Sequence, residues 1–529
     1  MFKEIEKYRA KIIWIDDEID LLKSHILFLE NKGYSLTTFN SPKDALEELK
    51  VKDFDIVLLD ENMQGMSGID VLKIIKSHYK YLPVIMITKN EEEWLMDEAI
   101  GYNADNFLTK PVNPSQILLA CKDILDASKI WNDKITEKYL NDFQLLNNKI
   151  HNINNINDWF AINNILCEWI INIENMNDKN LISIFNDQYA EANKLFSNFI
   201  IKNYKNWMNI DNHNPNMSNV IIKKYIQPFL SNNEKVIFIV LDCLSFDIWK
   251  KISEKLFKFY KIDTQNSLSI LPTTTAFARN SIFSGLFPSE IYKKYPLEWD
   301  KMWNNEKSKN IYEEFFVKEL LKNLGLFEKK INYKKIVTLD QGKELIKRMN
   351  EYKGCDLFSV VINFIDILGH SRTESNVIKE IINDRVSYRS AVCNWFENSW
   401  LYEFLKEASY WNHKVIITSD HGMLQVKKPV LVKGDKNTST GVRSKYGRNL
   451  NLSNKKGLEI KHPSDYNLPD FDGLTNYIIA KNSNFFVYPN DSVSYVKNFK
   501  NSFQHGGISL EEMIVPVAIL KGKKIEKGY

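Results

Sequence analysis

A chain of 529 residues, 44% hydrophobic and 26% charged, is long enough for about three or four domains of roughly 150 residues, and its composition excludes a disordered segment. The formal net charge of +3 is too small for overall charge to point to a nucleic acid or a membrane surface as partner. Five cysteines, Cys121, Cys167, Cys243, Cys355 and Cys393, are odd in number, widely spaced and never arranged as CxxC. They read as buried free thiols of a reducing compartment rather than a disulfide framework or a cysteine zinc site. The N-terminus shows no apolar signal core and no run of ~20 apolar residues occurs, so a cytoplasmic protein with no membrane span is expected.

From Lys11 to about Ser128 the apolar runs "IIWID", "SLTTF", "IVLLD", "VIMIT" and "NFLTK" alternate with amphipathic stretches near 20–32, 42–50, 68–79, 92–101 and 114–128. Alternation of this kind predicts a doubly wound parallel sheet whose ligands bind at the carboxyl ends of the strands. Asp16 and Asp17 close the first run, Asp60 the third, Thr88 the fourth and Lys110 the fifth. Carboxylates gathered so closely need a cation, which points to Mg²⁺ with Lys110 as counter-charge, a set suited to an acyl phosphate on Asp60. The motifs "IDDE", "LLDENMQGMSGIDVL", "MITK" and "FLTKPV" resemble the receiver domain of response regulators. That resemblance implies phosphorylation of Asp60 by a sensor histidine kinase. It further implies Mg²⁺ held by Asp17, Asp60 and the Asn62 carbonyl within the acidic cluster that includes Asp16, with Thr88 as switch hydroxyl and Phe107 as switch aromatic. Gln64 departs from the proline usual in such loops.

The expected boundaries are a receiver over 1–128, a helical bundle over 129–230 and an α/β domain over 231–529. The middle carries helical periodicity, as in "ISIFNDQYAEANKLFSNFIIKNY", and no ligand-spaced His, Cys or carboxylate cluster, so it is expected to connect the ends and transmit a change. No DNA-reading helix-turn-helix pattern follows the receiver.

After residue 231 three apolar strands run into aspartate: "KVIFIVLDCLSFD" into Asp242, "VVINFIDILGHSR" into Asp366 with His370 in the turn beyond, and "HKVIITSDHGM" into Asp420 and His421. Strand ends of a parallel sheet converge on one edge, so these residues are expected to meet, joined by His505 of "FQHGGISLEEMIVP". Asp and His without Cys suit Zn²⁺, with Mn²⁺ second, and six such residues exceed the needs of one tetrahedral ion, so two metals are expected. A hydroxyl nucleophile is offered by "LPTTTAFARNSIFSGLFPSE", where threonines precede a helix expected to begin near Ala276.

Over roughly residues 231–522 these features resemble the alkaline phosphatase superfamily and, within it, the PglZ-type domain. Nucleotide pyrophosphatases of that superfamily carry a nucleophilic threonine ten residues before a Thr-Gly or Ser-Gly glycine, and counting back from Gly285 gives Thr275. A count off by one or two would promote Thr274 or Thr273. The resemblance implies one metal on Asp366, His370 and His505 and the other on Asp242, Thr275, Asp420 and His421. The pyrophosphatases' phosphate-binding asparagine is missing after the nucleophile, and Arg279, one turn into the helix, is the candidate substitute.

Between Lys427 and His462 ten Lys or Arg residues face only Asp435 and Glu459 as acids. Read as a long loop beside the catalytic edge, this segment offers Arg443, Lys445, Tyr446 and Arg448 to a polyanion, the cations to phosphates and the tyrosine to a base. The whole chain resembles the PorX-type response regulators. That implies a phosphodiesterase acting on short or cyclic oligonucleotides, a role in type IX secretion and gliding, secretion-motor or sigma-factor proteins as partners, and a homodimer on phosphorylation. Two rivals stand beside it: a phosphorylation-switched scaffold with a structural metal site, and a phosphomutase or phosphomonoesterase.

Overall fold

The computed structural model of the chain describes residues 9–523 apart from 80–81, 90–98, 100, 126, 175–178, 209–213, 436–437 and 453–455. The chain folds as two compact units, residues 1–140 and 141–529.

The first unit is a five-stranded parallel sheet of β1 (Ala10–Ile15), β2 (Tyr34–Phe39), β3 (Ile56–Asp60), β4 (Val84–Thr88) and β5 (Asn106–Thr109), in the order β2-β1-β3-β4-β5. Side chains alternate between faces along each strand, so a continuous apolar run supplies two cores at once. Ile13, Ile15, Val57, Leu59 and Met86 pack on one face, and Ile12, Trp14, Ile56, Leu58, Ile85 and Ile87 on the other. Helices Lys23–Asn31, Pro42–Leu49, Gly68–His78 and Pro114–Leu125 match four of the expected amphipathic stretches. The fifth, near 92–101, lies outside the described residues except for Ala99 and Gly101.

The second unit opens with the paired helices Ile156–Glu174 and Lys179–Asn203 of the helical linker. A six-stranded sheet follows, built of β6 (Lys235–Leu241), β7 (Tyr260–Leu268), β8 (Ile331–Ile336), β9 (Leu357–Ile362), β10 (His413–Thr418) and β11 (Ile514–Gly522). Strands β10, β6, β9 and β8 run parallel, while β11 enters antiparallel between β10 and β7. Val240 is in register with Thr418, and Leu241 with Ile362, so the residues that follow β6, β9 and β10 emerge side by side. Among the described residues no helix is long and apolar enough to cross a membrane.

Two sequence expectations are corrected here. Strand β9 stops at Ile362 and the helix Phe364–Glu374 begins at once, so Asp366 and His370 are not a strand end and a turn but an i,i+4 pair on one helix. Helical spacing of four puts the two side chains on the same face, one turn apart. The basic segment 427–462 is not one long loop: it contains the strands Lys428–Lys433, Ser444–Gly447, Asn451–Leu452 and Gly457–Ile460. In "KPVLVK" Val430 and Val432 are buried and Leu431 and Lys433 exposed, a two-residue period that the excess of basic residues masked.

Candidate functional site

In the first unit Asp60 ends β3, buried beside Asp16, and Lys110 Nζ bridges them at 2.7 Å from Asp60 Oδ1 and 2.9 Å from Asp16 Oδ2. Oxygens of Asp16, Asp17 and Asp60 lie within 4.8 Å of one another, a spacing that could hold a metal ion. Burial pushes the Asp60 carboxyl up to about 6, against the pull of the Lys110 hydrogen bond and with the help of the Asp16 and Asp17 charges. Burial opposes the charge on Lys110, but its hydrogen bonds to Asp60 and Asp16 prevail and raise it. Asn62 and Gln64 lie in the loop after β3, where the Gln64 N–H donates to Asp17 Oδ2 at 3.3 Å. Thr88 is buried at the end of β4, and Phe107 is half-buried on β5.

In the second unit the carboxyl edge of the sheet gathers Asp242, Thr275, Asp366, His370, Asp420, His421 and His505. Ligand atoms of Asp242, Asp420 and His421 lie within 4.8 Å of one another, and so do those of Asp366, His370 and His505. Thr275 starts the helix Thr275–Ser284, its Oγ1 3.1 Å from His421 Nε2 and 3.4 Å from Asp242 Oδ1. Asn310 Nδ2 donates to the Thr275 carbonyl at 3.1 Å and fixes the helix entry. Thr273 is turned away, its hydroxyl donating to the Gly507 carbonyl at 2.8 Å, and Thr274 stands at the N-cap position without a side-chain capping hydrogen bond.

The electrostatics suit divalent cations. Burial first, then the Asp420 charge, push Asp242 up to about 8 against the pull of Arg279, and burial pushes Asp420 up to about 6. Burial lowers His421, and burial together with His421 lowers His505 well below the ordinary histidine range. Burial resists the charge on Asp366, but the His370 hydrogen bond and the His505 and His370 charges hold it below the usual carboxylate range. Asp242 and Asp420, which resist ionisation, beside His421 and His505, which resist protonation, form the donor set of a cation site, in which the ion supplies the positive charge. Asp420 Oδ2 is buried with no hydrogen-bond partner, the condition of an oxygen that a cation satisfies. Gly422 lets the His421 turn pack tightly, since a Cβ there would meet the Glu511 carbonyl at 1.9 Å.

The expected substrate contacts are placed differently. Arg279 is 1% exposed, with Nη1 2.6 Å from Asp242 Oδ2 and Nε 2.5 Å from Glu313 Oε1, so it neutralises buried carboxylates instead of facing a ligand. Arg443 is buried on Glu512 and the Asn484 carbonyl; Lys445 is buried with Nζ 3.2 Å from the Ser439 carbonyl; Arg448 Nε is 2.5 Å from Asp472 Oδ2. Arg443 and Lys445 are thus engaged inside the fold, whereas Arg448 is exposed and paired at the surface. Tyr446 reaches the helix Thr275–Ser284 through a cluster of rings that includes Phe277 and Trp303.

The sequence reading passed over Cys243 and Asn363. Cys243 has φ +67°, and its Sγ lies 3.3 Å from Asp366 Oδ1 and 3.5 Å from His421 Nδ1, between the two ligand groups. Its position directly after Asp242 was the available signal. Asn363 donates to Asp242 Oδ2 at 2.6 Å and is the first polar residue after the apolar run of β9.

Residues 221–520 match the model of the BREX system PglZ alkaline phosphatase-like domain, residues 12–122 the response regulator receiver domain, and residues 129–208 the PorX response regulator linker domain. Curated relatives include the phosphoglycerate transport system transcriptional regulatory protein PgtA of Salmonella typhimurium, 35% identical over 116 residues, which are 22% of this chain and 28% of that protein. The alkaline phosphatase synthesis transcriptional regulatory protein PhoP of Bacillus subtilis is 30% identical over 122 residues, 23% of this chain and 50% of its own length. The matched stretches thus span half or less of either relative. Among solved structures, the chemotaxis protein CheY4 of Vibrio cholerae shares 28% identity over 22% of this chain and 98% of that chain, with a TM-score of 0.21.

Proposed function

The chain belongs to the PglZ alkaline phosphatase-like family and is built as a PorX-type response regulator, and from this premise we propose that phosphorylation of Asp60 controls a two-zinc phosphodiesterase with Thr275 as nucleophile. The observation that carries the reading is Thr275 Oγ1, 3.1 Å from His421 Nε2 at a helix N-terminus and beside the Asp242, Asp420 and His421 cluster. Asp366, His370 and His505 would hold one zinc, and Asp242, Thr275, Asp420 and His421 the other. Zinc bound there supplies Lewis acidity, lowering the pKa of an attacking hydroxyl and neutralising phosphoryl oxygens.

Thr275 Oγ1 gives up its proton to solvent and attacks phosphorus, forming the Thr275 O–P bond as the P–O bond to the leaving alcohol breaks. Water protonates the leaving oxygen. A second water then attacks the phosphothreonine, returning Thr275 to the hydroxyl and releasing a phosphomonoester. The N-terminus of the helix Thr275–Ser284 favours negative charge at this point, and Arg279 keeps Asp242 in place for both displacements.

Short or cyclic oligonucleotides are the proposed substrates, with Tyr446 beside the nucleophile helix as the group a base would meet. A sensor histidine kinase is the proposed phosphoryl donor, Mg²⁺ the ion at Asp16, Asp17, Asp60 and Asn62, and the cytoplasm the compartment. Likeness to PorX-type regulators supports a role in type IX secretion and gliding, with secretion-motor or sigma-factor partners and a homodimer on phosphorylation. Thr275→Ala should bind zinc as the parent does and lose turnover of bis-p-nitrophenyl phosphate and of cyclic oligonucleotides; a fully active variant would exclude this nucleophile.

A further inference from the structure

The segment His505–Glu512 is held from three sides. It carries His505 itself, and a left-handed Gly506 with φ +116° turns the chain directly after it. On the side of the nucleophile, Thr273 Oγ1 donates to the Gly507 carbonyl at 2.8 Å and accepts from the Gly506 N–H at 3.2 Å. The Thr273 carbonyl lies 3.3 Å from His505 Nδ1, which leaves Nε2 to face Asp366 and His370. On the side of the second ligand turn, the Gly422 N–H donates to the Glu512 carbonyl at 3.1 Å.

The third side is the linker. Asn193 and Ser197 stand four residues apart on one face of the helix Lys179–Asn203, both buried. Asn193 Oδ1 accepts from the Leu510 N–H at 2.7 Å, and its Nδ2 donates to Glu511 Oε2 at 2.9 Å. Ser197 Oγ is 3.0 Å from the Ile508 carbonyl and 2.9 Å from Asn482 Oδ1. Glu511 is also gripped by Arg385 Nη1 at 2.9 Å, and Arg385 shares the buried Asp247 with Arg389. Arg389 pairs in turn with Glu174 on the other linker helix. The helices Ile156–Glu174 and Lys179–Asn203 therefore meet in one hydrogen-bonded and ionic network whose far side is the turn that presents His505.

Resting on the two-metal reading above, we propose that the linker helix Lys179–Asn203 sets the affinity of the cation site formed by Asp366, His370 and His505, with Asn193 and Ser197 as positioning residues that hold the His505 turn. A displacement of this helix loosens one cation site and leaves the Asp242, Asp420 and His421 ligands on their own strand ends. Partners that orient a metal ligand without touching the ion change affinity about 10- to 100-fold when removed.

The experiment uses the full chain, stripped with a chelator and titrated with Zn²⁺ against a competing chromophoric chelator. Asn193→Ala and Ser197→Ala should each weaken one of two zinc-binding steps about tenfold or more and leave the other unchanged. Lys194→Ala, on the exposed side of the same helix, serves as control and should change neither. Thermal melting of the metal-free variants identifies one that fails to fold, and Ser197→Thr, which keeps the hydroxyl, should restore the weakened step. Equal affinities in parent and both alanine variants, or a parallel fall in both steps, would overturn the proposal. Diester hydrolysis by the parent is read separately: a parent that binds two zinc ions and cleaves nothing refutes the hydrolase reading and leaves the affinity difference standing.

Discussion

His370 Nε2 stands 3.2 Å from His505 Nε2, and both face Asp366 Oδ1, at 3.2 and 3.7 Å. At that distance either one ring's N–H donates to the other nitrogen or a cation takes both nitrogens, and the spacing of these three groups is one that could hold a metal ion. A ligand that binds only the folded state stabilises it by about 2.7 kcal/mol when present at 100 times its Kd. Calorimetry with zinc and then with excess chelator should show the second unit melting several degrees lower in chelator, and an unchanged melt would contradict the cation site.

Arg279 is the hinge of a second expectation. Removing one partner from a buried ion pair leaves the other charge uncompensated, at a cost of about 3–5 kcal/mol, and here two carboxylates, Asp242 and Glu313, would be left. Arg279→Met should therefore lower stability in urea by about that amount. A variant as stable as the parent, with only its substrate affinity reduced, would return Arg279 to the role first expected from its place in the sequence.

His413 gives the pH dependence a definite sign. It is 8% exposed, in register with Lys235, and burial followed by the Lys235 charge pushes it down to about 4. The unfolded chain then binds a proton near pH 6.5 that the folded chain refuses until about pH 4. Stability from this group is full above pH 6.5 and is lost as pH falls through that window toward 4, an effect on the order of 2–3 kcal/mol. His413→Phe should flatten this part of the stability profile, measured by urea unfolding at a series of pH values; an unchanged slope would assign it elsewhere.

Asp60 carries the fourth. Its replacement by asparagine should abolish acid-labile phosphorylation by acetyl phosphate, seen as loss of the added phosphoryl mass, while zinc binding persists. Phosphorylation of Asp60→Asn at the parent's rate would place the acceptor on another residue.

The sheet edges were legible because Asp242 and Asp420 interrupt apolar runs at the points where the strands stop, and a carboxylate there has few structural reasons to exist. Asp366 was legible as a member of the acidic and imidazole cluster but not as a helical residue. The run "VVINFIDIL" stays apolar across the change from strand to helix, and a short apolar run does not reveal which of the two it forms. Arg443 was misread for a different reason. Its sequence neighbours are polar and basic, whereas its buried partner Glu512 lies 69 residues away, so the pairing is invisible to any local window. Cys243 was hidden because an isolated thiol carries no spacing signal, although its left-handed backbone places it between Asp366 and His421.

The position of β11 carries a consequence for how this unit is made. Strand Ile514–Gly522 lies between β7 and β10, pairing Ile514 with Leu268 and Lys521 with Lys414. Until that strand has left the ribosome, one side of β10 is an unpaired edge and β7 has no partner in the sheet, leaving rows of open backbone donors and acceptors that invite pairing with other chains. Sheet closure thus waits on contacts more than a hundred residues apart, the kind that form slowly. A nascent chain that has already exposed its acidic strand ends is an aggregation hazard, and the demand for chaperone protection should last until β11 emerges.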